Sequence, residues 1–167
     1  MKRIVIGFAL LLWMAVPVRA QTTIILVRHA ERIDNTDSGL SDAGKARVVR
    51  LVEALKSSGA SAVYSTPLLR TKETATPLAE ALGVPVTLLP SPAGSPLDAF
   101  AKASAELILR EQRGKTIVVV GHSNTTPALI TALGAPAVPA IPDTQFDDLF
   151  VVQVNADGKA TVIRAKY

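Results

Sequence analysis

From Thr22 onward the chain alternates short β-branched runs with longer stretches of helical period. Thr23-Ile24-Ile25-Leu26-Val27 is an almost unbroken apolar run, as in strands of parallel sheets that are covered on both faces. Residues 41–57 follow as a helix, with Ala46, Val49, Val52, Ala54 and Leu55 assigned to its apolar face. Ser41 is read as the N-cap and Gly59 as the stop. Residues 61–64 predict a short second strand, 69–82 a helix ending at Gly83, and 84–89 a third strand. Pro90, Pro92, Gly94 and Pro96 mark a loop. A helix over 97–112 closes at Arg113-Gly114. Residues 116–120 are the most hydrophobic strand candidate of this region, followed by Gly121 and a helix near 126–133. After a Pro-rich loop over 134–142, residues 149–154 and 160–164, joined by Asn155-Ala156-Asp157-Gly158, predict a closing hairpin.

Strand–helix alternation of this kind predicts an α/β fold: a three-layer α/β/α sandwich with a mainly parallel central sheet. In such sheets the ligand site lies beyond the carboxyl ends of the strands. No internal repeat interrupts the pattern.

Residues 1–20 follow a different logic. Lys2 and Arg3 precede an uncharged run of about 15 residues from Ile4 to Val18, and small residues at Val18 and Ala20 suit a signal peptidase. The expectation is a signal peptide over 1–20 and a folded domain over 21–167. The protein would then be exported, periplasmic or secreted, with no stable membrane anchor after cleavage. An uncleaved anchor is the alternative, although the run falls short of the roughly 20 residues that span a bilayer. No cysteine follows the cleavage point, which excludes a lipoprotein.

Charge changes meaning once that segment is set aside. The 167-residue chain has a formal charge of +4 and a pI near 9.6, which would suggest a polyanionic partner. Lys2, Arg3 and Arg19 lie in the leader, so residues 21–167 hold 15 Lys and Arg against 14 Asp and Glu, a net of +1. Nucleic-acid binding loses its main support, and no nucleic-acid partner is expected. A hydrophobic fraction of 49% excludes intrinsic disorder. The absence of cysteine excludes a disulfide scaffold, thiol catalysis and cysteine-ligated metals.

The chain contains two histidines, and both follow a predicted strand: His29 after 23–27 with Arg28 beside it, and His122 after 116–120 and Gly121. A parallel sheet would present both imidazoles at the edge where chemistry is expected. A neutral imidazole can attack phosphorus and form a covalent phosphohistidine that water later hydrolyses. Phosphoryl transfer otherwise needs in-line positioning and cations around the equatorial oxygens, and Arg28 supplies a planar, always-charged fork. Paired histidines also serve as metal ligands, but a third ligand is needed and no HxH or HExxH spacing is present. No metal and no cofactor are expected.

Leu26-Val27-Arg28-His29-Ala30-Glu31-Arg32 resembles the RHG-type segment of the histidine phosphatase superfamily, which includes the phosphoglycerate mutases and phosphohistidine phosphatases. Leu40-Ser41-x-x-Gly44 resembles the family's opening of the first helix. Tyr64-Ser65-Thr66-Pro67-Leu68-Leu69-Arg70-Thr71 with Thr74-Ala75 is similar to its S-x-P-L-x-R segment, and Val120-Gly121-His122 to its second histidine segment. The resemblance implies a phosphoglycerate mutase-like fold and a metal-independent phosphoric monoester hydrolase. His29 would be the phosphorylated nucleophile, Arg28 and Arg70 the clamp on the phosphoryl oxygens, and His122 a further hydrogen-bond donor. Asn35 stands at a spacing where some members use an asparagine on phosphate, and equally fits a turn. Glu31 either orients the site or belongs to the loop.

The match departs from the family at the leaving-group acid. Many members carry a glutamate in the loop after the third strand, whereas the loop over 89–98 contains no Glu and reaches its first acid at Asp98. Asp98 is a candidate general acid, or a carboxylate favoured at a helix start. Asp143 is another unassigned acid. The short chain leaves no room for capping insertions, and an open site fits a phosphorylated small molecule, glycan or protein. Two alternatives stand beside a phosphatase: a non-catalytic phosphate-binding or adaptor member of the same fold, and a phosphoglycerate mutase-type phosphotransferase.

Overall fold

The computed structural model describes residues 21–90 and 95–167. The expected leader at 1–20 lies outside the described residues. In chain order the elements are β1 (Thr22–Arg28), α1 (Asp42–Leu55), β2 (Val63–Ser65), α2 (Leu69–Leu82), β3 (Val86–Leu88), α3 (Leu97–Glu111), β4 (Thr116–Gly121), α4 (Thr125–Ala132), β5 (Asp148–Val154) and β6 (Ala160–Lys166). They build a six-stranded sheet of order β3-β2-β4-β1-β5-β6. The first four strands in that order run parallel, and β5 and β6 add an antiparallel hairpin. The α/β fold with a mainly parallel sheet is therefore present as expected.

The apolar runs of β1 and β4 are explained by cover on both faces. Side chains alternate across a strand, so Ile24, Leu26, Ile117 and Val119 join one core with Phe100 and Ile108 of α3 and Leu129 and Ile130 of α4. Ile25, Val27, Val118 and Val120 join the other with Leu51 of α1 and Leu78 of α2. Each large aliphatic side chain withdrawn from water contributes about 1.5–3 kcal/mol before entropy is counted.

The face assigned to α1 needs correction. Its buried residues are Gly44, Val48, Leu51 and Leu55, while Val49 is 63% exposed and Ala46 and Ala54 face outward. Of the expected set, Leu55 is buried and Val52 is half-buried against the core. Leu51 and Leu55 reach the core, and the steps of four, three and four from Gly44 define the stripe. Ser41 does cap this helix, its hydroxyl accepting from Gly44 N at 3.2 Å. Gly44 itself is required by contact, because a Cβ there would run into the Glu31 carbonyl oxygen.

Candidate active site

Register brings the two histidines together. Arg28 pairs with Gly121 across the parallel β1–β4 ladder, and one residue further His29 N donates to the Gly121 carbonyl at 2.9 Å. The next residue on β4 is His122, and the two ring centroids stand 5.3 Å apart at 64°.

His29 is buried, at 3% exposure. Its Nδ1 lies 2.7 Å from the Ala30 carbonyl oxygen. A carbonyl has no proton to give, so Nδ1 carries the hydrogen and Nε2 keeps a lone pair. Burial and the charges of Arg28, Arg70 and Arg32, against that backbone hydrogen bond, bring its pKa down to about 4. The ring is therefore neutral near pH 7, as a nucleophile must be. Its backbone is anchored from α2: Thr74 Oγ1 accepts from Ala30 N at 3.0 Å while donating to the Arg70 carbonyl at 2.8 Å.

His122 is fixed by threonines. Its Nε2 lies 2.8 Å from Thr66 Oγ1, which lies 2.8 Å from Thr71 Oγ1. The single Thr71 proton goes to the carbonyls of Leu68 at 2.7 Å and Thr66 at 3.0 Å. Thr66 must then donate to Thr71, leaving His122 Nε2–H as donor to Thr66. Burial, followed by His29 and the arginines, holds the His122 pKa down to about 3. Thr125 Oγ1 accepts from its backbone N at 2.8 Å.

Three guanidinium groups surround the imidazoles. Arg28, 4% exposed, donates through Nη1 to the carbonyls of Pro142 at 2.7 Å and Gln145 at 3.1 Å, and lies 4.2 Å over the Phe146 ring. Its Nη2 stands 3.6 Å from Asp143. Arg70, at the start of α2, faces Asp37 at 3.5 Å. The same Asp37 oxygen accepts from Leu69 N at 2.8 Å, supplying the cap that α2 lacks at Leu68. Burial lowers the pKa of both Arg28 and Arg70 from the ordinary arginine value. Arg32 is the third.

A cleft of about 710 Å³ opens over this cluster, lined by His29, His122, Arg28, Arg70, Arg32 and Thr66 together with α3 and α4 residues. The four residues expected at the centre thus converge. Asn35 does not line this cleft; its side-chain carbonyl accepts from Arg32 Nη2 at 2.7 Å, beside a neighbouring hollow. Asp98 is exposed on the first turn of α3 and is also outside the lining. Among the described residues, Asp143 is the carboxylate that lines it. Glu31 does not enter the cleft either. It forms a close ion pair with Arg47, Nη2 to Oε1 at 2.6 Å, and its backbone carbonyl accepts from Ser41 N. Burial alone would raise the Glu31 pKa, and the Arg47 pairing outweighs it.

Sequence reasoning left Arg32 and Thr66 without roles. Both stand inside the quoted motifs, Arg32 four residues after Arg28 and Thr66 beside Pro67, but their work depends on neighbours far away in the chain. Among the described residues, no group of three or more His, Asp or Glu side chains gathers that could hold a metal ion.

Two imidazoles and three arginines thus gather at the carboxyl edge of a parallel sheet, a cationic arrangement whose donors match the geometry of phosphate oxygens. The family model of the histidine phosphatase superfamily (branch 1) matches residues 24–91. No curated relative matches the chain significantly. Among solved structures, mycobacterial glucosyl-3-phosphoglycerate phosphatase is 16% identical, with 88% of this chain and 98% of that one covered at a TM-score of 0.69. The protein histidine phosphatase SixA, in complex with tungstate, is 19% identical over 86% of this chain and 96% of that one, at a TM-score of 0.68. YhfR of Bacillus stearothermophilus is 18% identical over 83% and 94%, at 0.67. The segment over residues 24–91 is similar to the histidine phosphatase superfamily, and the fold of the chain is that of these phosphoglycerate mutase-like neighbours.

Proposed function

We propose that the protein is a phosphatase that hydrolyses phosphate monoesters or phosphoramidates through a phosphohistidine on His29. The observation that carries this reading is the His29 Nδ1–H···O=C Ala30 hydrogen bond at 2.7 Å, in a ring that burial keeps neutral. It leaves Nε2 as the free nucleophilic nitrogen.

Arg28 and Arg70 hold the equatorial phosphoryl oxygens and offset the charge that develops on them. His122, with Nε2–H directed to Thr66, meets a phosphoryl oxygen through Nδ1, as a donor once the bound dianion has raised its proton affinity. The His29 Nε2 lone pair forms the N–P bond in line as the P–O or P–N bond to the leaving group breaks. The leaving group takes a proton from solvent, from the substrate itself, or from an acid at the cleft. Asp143 lines that cleft, whereas Asp98 does not. Water then attacks phosphorus, the N–P bond breaks, and inorganic phosphate and neutral His29 are restored. No step uses a metal or cofactor.

Residues 1–20 have the order of a secretory signal, which supports an exported, periplasmic or secreted phosphatase. The substrate is a phosphorylated small molecule, glycan or protein. A broad aryl phosphate such as 4-nitrophenyl phosphate should be turned over. Rapid quench into alkaline detergent with a ³²P-labelled ester should trap alkali-stable, acid-labile label on the protein, and His29→Ala should abolish both signals. Full activity in His29→Ala, or turnover with no trappable label under single-turnover conditions, contradicts the mechanism. Phosphate or vanadate binding without any turnover would instead favour the non-catalytic binding reading.

A further inference from the structure

Arg28 enters the cleft from the end of β1, and its hydrogen bonds, ion pair and aromatic contact all come from residues 142–146. Val27 pairs with Leu149 across the β1–β5 ladder, so the chain just before β5 runs beside Arg28. The carbonyls of Pro142 and Gln145 both accept from Nη1, and the Phe146 ring covers one face of the guanidinium at 4.2 Å. Asp143 faces Nη2 at 3.6 Å, beyond hydrogen-bond range. The Phe146 ring also lies 6.0 Å from the His29 ring. Among the described residues, Nε and Nη2 of Arg28 have no hydrogen-bond partner, and Nε is buried. These two nitrogens form an edge of the fork suited to two phosphoryl oxygens. The segment thus occupies one end of the guanidinium and leaves that edge open.

A segment that sets the plane of Arg28 must itself be held, and residues 142–147 belong to no helix or strand. From the exposed side, Lys166 Nζ donates to both Asp147 carboxylate oxygens at 3.1 and 3.0 Å, a surface pairing of small energetic weight. Tyr167 acts from the buried side. Its side chain packs against the core cluster that holds Val27 and Leu51. Its backbone N donates to the Asp147 carbonyl at 3.1 Å, and its hydroxyl to the Phe146 carbonyl at 3.1 Å. Burial pushes the phenol pKa above its ordinary value, so the hydroxyl stays protonated as a donor at neutral pH. Two consecutive carbonyls, one of them belonging to Phe146, are therefore tied to a single tyrosine.

We infer that Phe146 and Tyr167 are positioning residues for phosphoryl binding: Tyr167 fixes the Phe146 backbone, and the Phe146 ring fixes the plane of the Arg28 guanidinium. This rests on the phosphatase reading above. Neither residue lines the cleft over the histidines, and both act through Arg28.

Turnover of 4-nitrophenyl phosphate by the full chain tests this, with each variant assayed well below its own thermal midpoint. Phe146→Leu keeps apolar bulk and removes the ring face, and kcat/KM should fall about tenfold, within the range of a desolvated cation–π contact. Phe146→Tyr keeps the face and should stay within about twofold of the unmodified protein. Tyr167→Phe keeps the packed ring and removes one hydroxyl, and kcat/KM should fall about fivefold, the scale of one net hydrogen bond. An ammonium has no plane to set, so beside Arg28→Lys the further losses from Phe146→Leu and Tyr167→Phe should each shrink to within about twofold. Three outcomes overturn the positioning roles and leave the phosphatase reading standing. They are equal kcat/KM in Phe146→Leu and Phe146→Tyr, a lowered midpoint in Tyr167→Phe with kcat/KM intact, and losses that persist undiminished beside Arg28→Lys. Absence of turnover by the unmodified protein overturns both.

Discussion

The Thr66 hydroxyl lies between His122 and Thr71 and decides which His122 nitrogen carries the proton. Thr66→Val keeps the shape and removes the acceptor, so Nε2–H is left unpaired in a partly buried site. The expected outcome is a loss of kcat of about tenfold, with a stability cost of about 1–3 kcal/mol, read by steady-state kinetics and urea unfolding. An unchanged kcat would show that the hydroxyl does not position His122. The role was hidden in the sequence for a physical reason: a threonine acquires it only when β2 and β4 are paired. His29, His122 and Arg28 were legible because position at a strand end fixes where such residues converge, and Arg70 because it stands in a segment similar to a superfamily motif. Asp143 and Asp98 show the limit of that logic. Both looked like candidate acids, and only the path of the loop over 134–147 brings Asp143 to the cleft while leaving Asp98 on the flank of α3.

At the scale of elements, one glycine inside α1 and one just beyond it make opposite demands. Gly44 has an ordinary helical backbone but no space, the Glu31 carbonyl occupying the position of a Cβ. Gly59 has open space but φ of +68°. Gly59→Ala should cost about 1–2 kcal/mol, the price of the left-handed region for an L-residue. Gly44→Ala should cost more and also impair turnover, because α1 must move off the loop that carries Glu31 and Arg32. Thermal unfolding of the two variants, with kcat/KM beside it, separates the cases; equal losses would mean that the loop yields freely. Strand–helix order was readable throughout, since runs of β-branched residues and helical stretches alternate with turn residues between them. The apolar face of α1 was not, because a helix with valine and alanine on several sides offers more than one stripe, and only packing selects Leu51 against the sheet and Val48 against Ala30 and Leu40.

For the molecule as a whole, burying two imidazoles among arginines carries a cost in acid. His29 and His122 titrate near 4 and 3 in the folded state, against an ordinary value of 6.5. As pH falls the unfolded chain takes up these protons first, so the associated stability is complete above about pH 6.5 and is lost as pH falls through about 4. For His29 alone, about 1.4 kcal/mol per unit places the loss on the order of 3 kcal/mol. Urea midpoints should therefore decline between pH 6.5 and 4, and the paired variant His29→Asn, His122→Asn should decline less over the same window. A parallel decline in both proteins would assign the acid sensitivity to other groups.

The β1–β4 pairing has a consequence beyond placing two rings side by side. Both strands are apolar through their centres and covered on both faces, so sliding one along the other would still meet grease with grease. A two-residue slip would carry His122 about 7 Å from its place beside His29 while leaving the centre of the core much as oily as before. What resists the slip lies at the polar ends of the ladder: Thr23 N to the Lys115 carbonyl at 2.9 Å, Gly114 N to Thr22 Oγ1 at 3.0 Å, and His29 N to the Gly121 carbonyl at 2.9 Å. The sheet's centre holds the strands together almost indifferently to alignment, and its margins act as the vernier that sets it. The meeting of the two imidazoles is secured by the least hydrophobic contacts in the ladder.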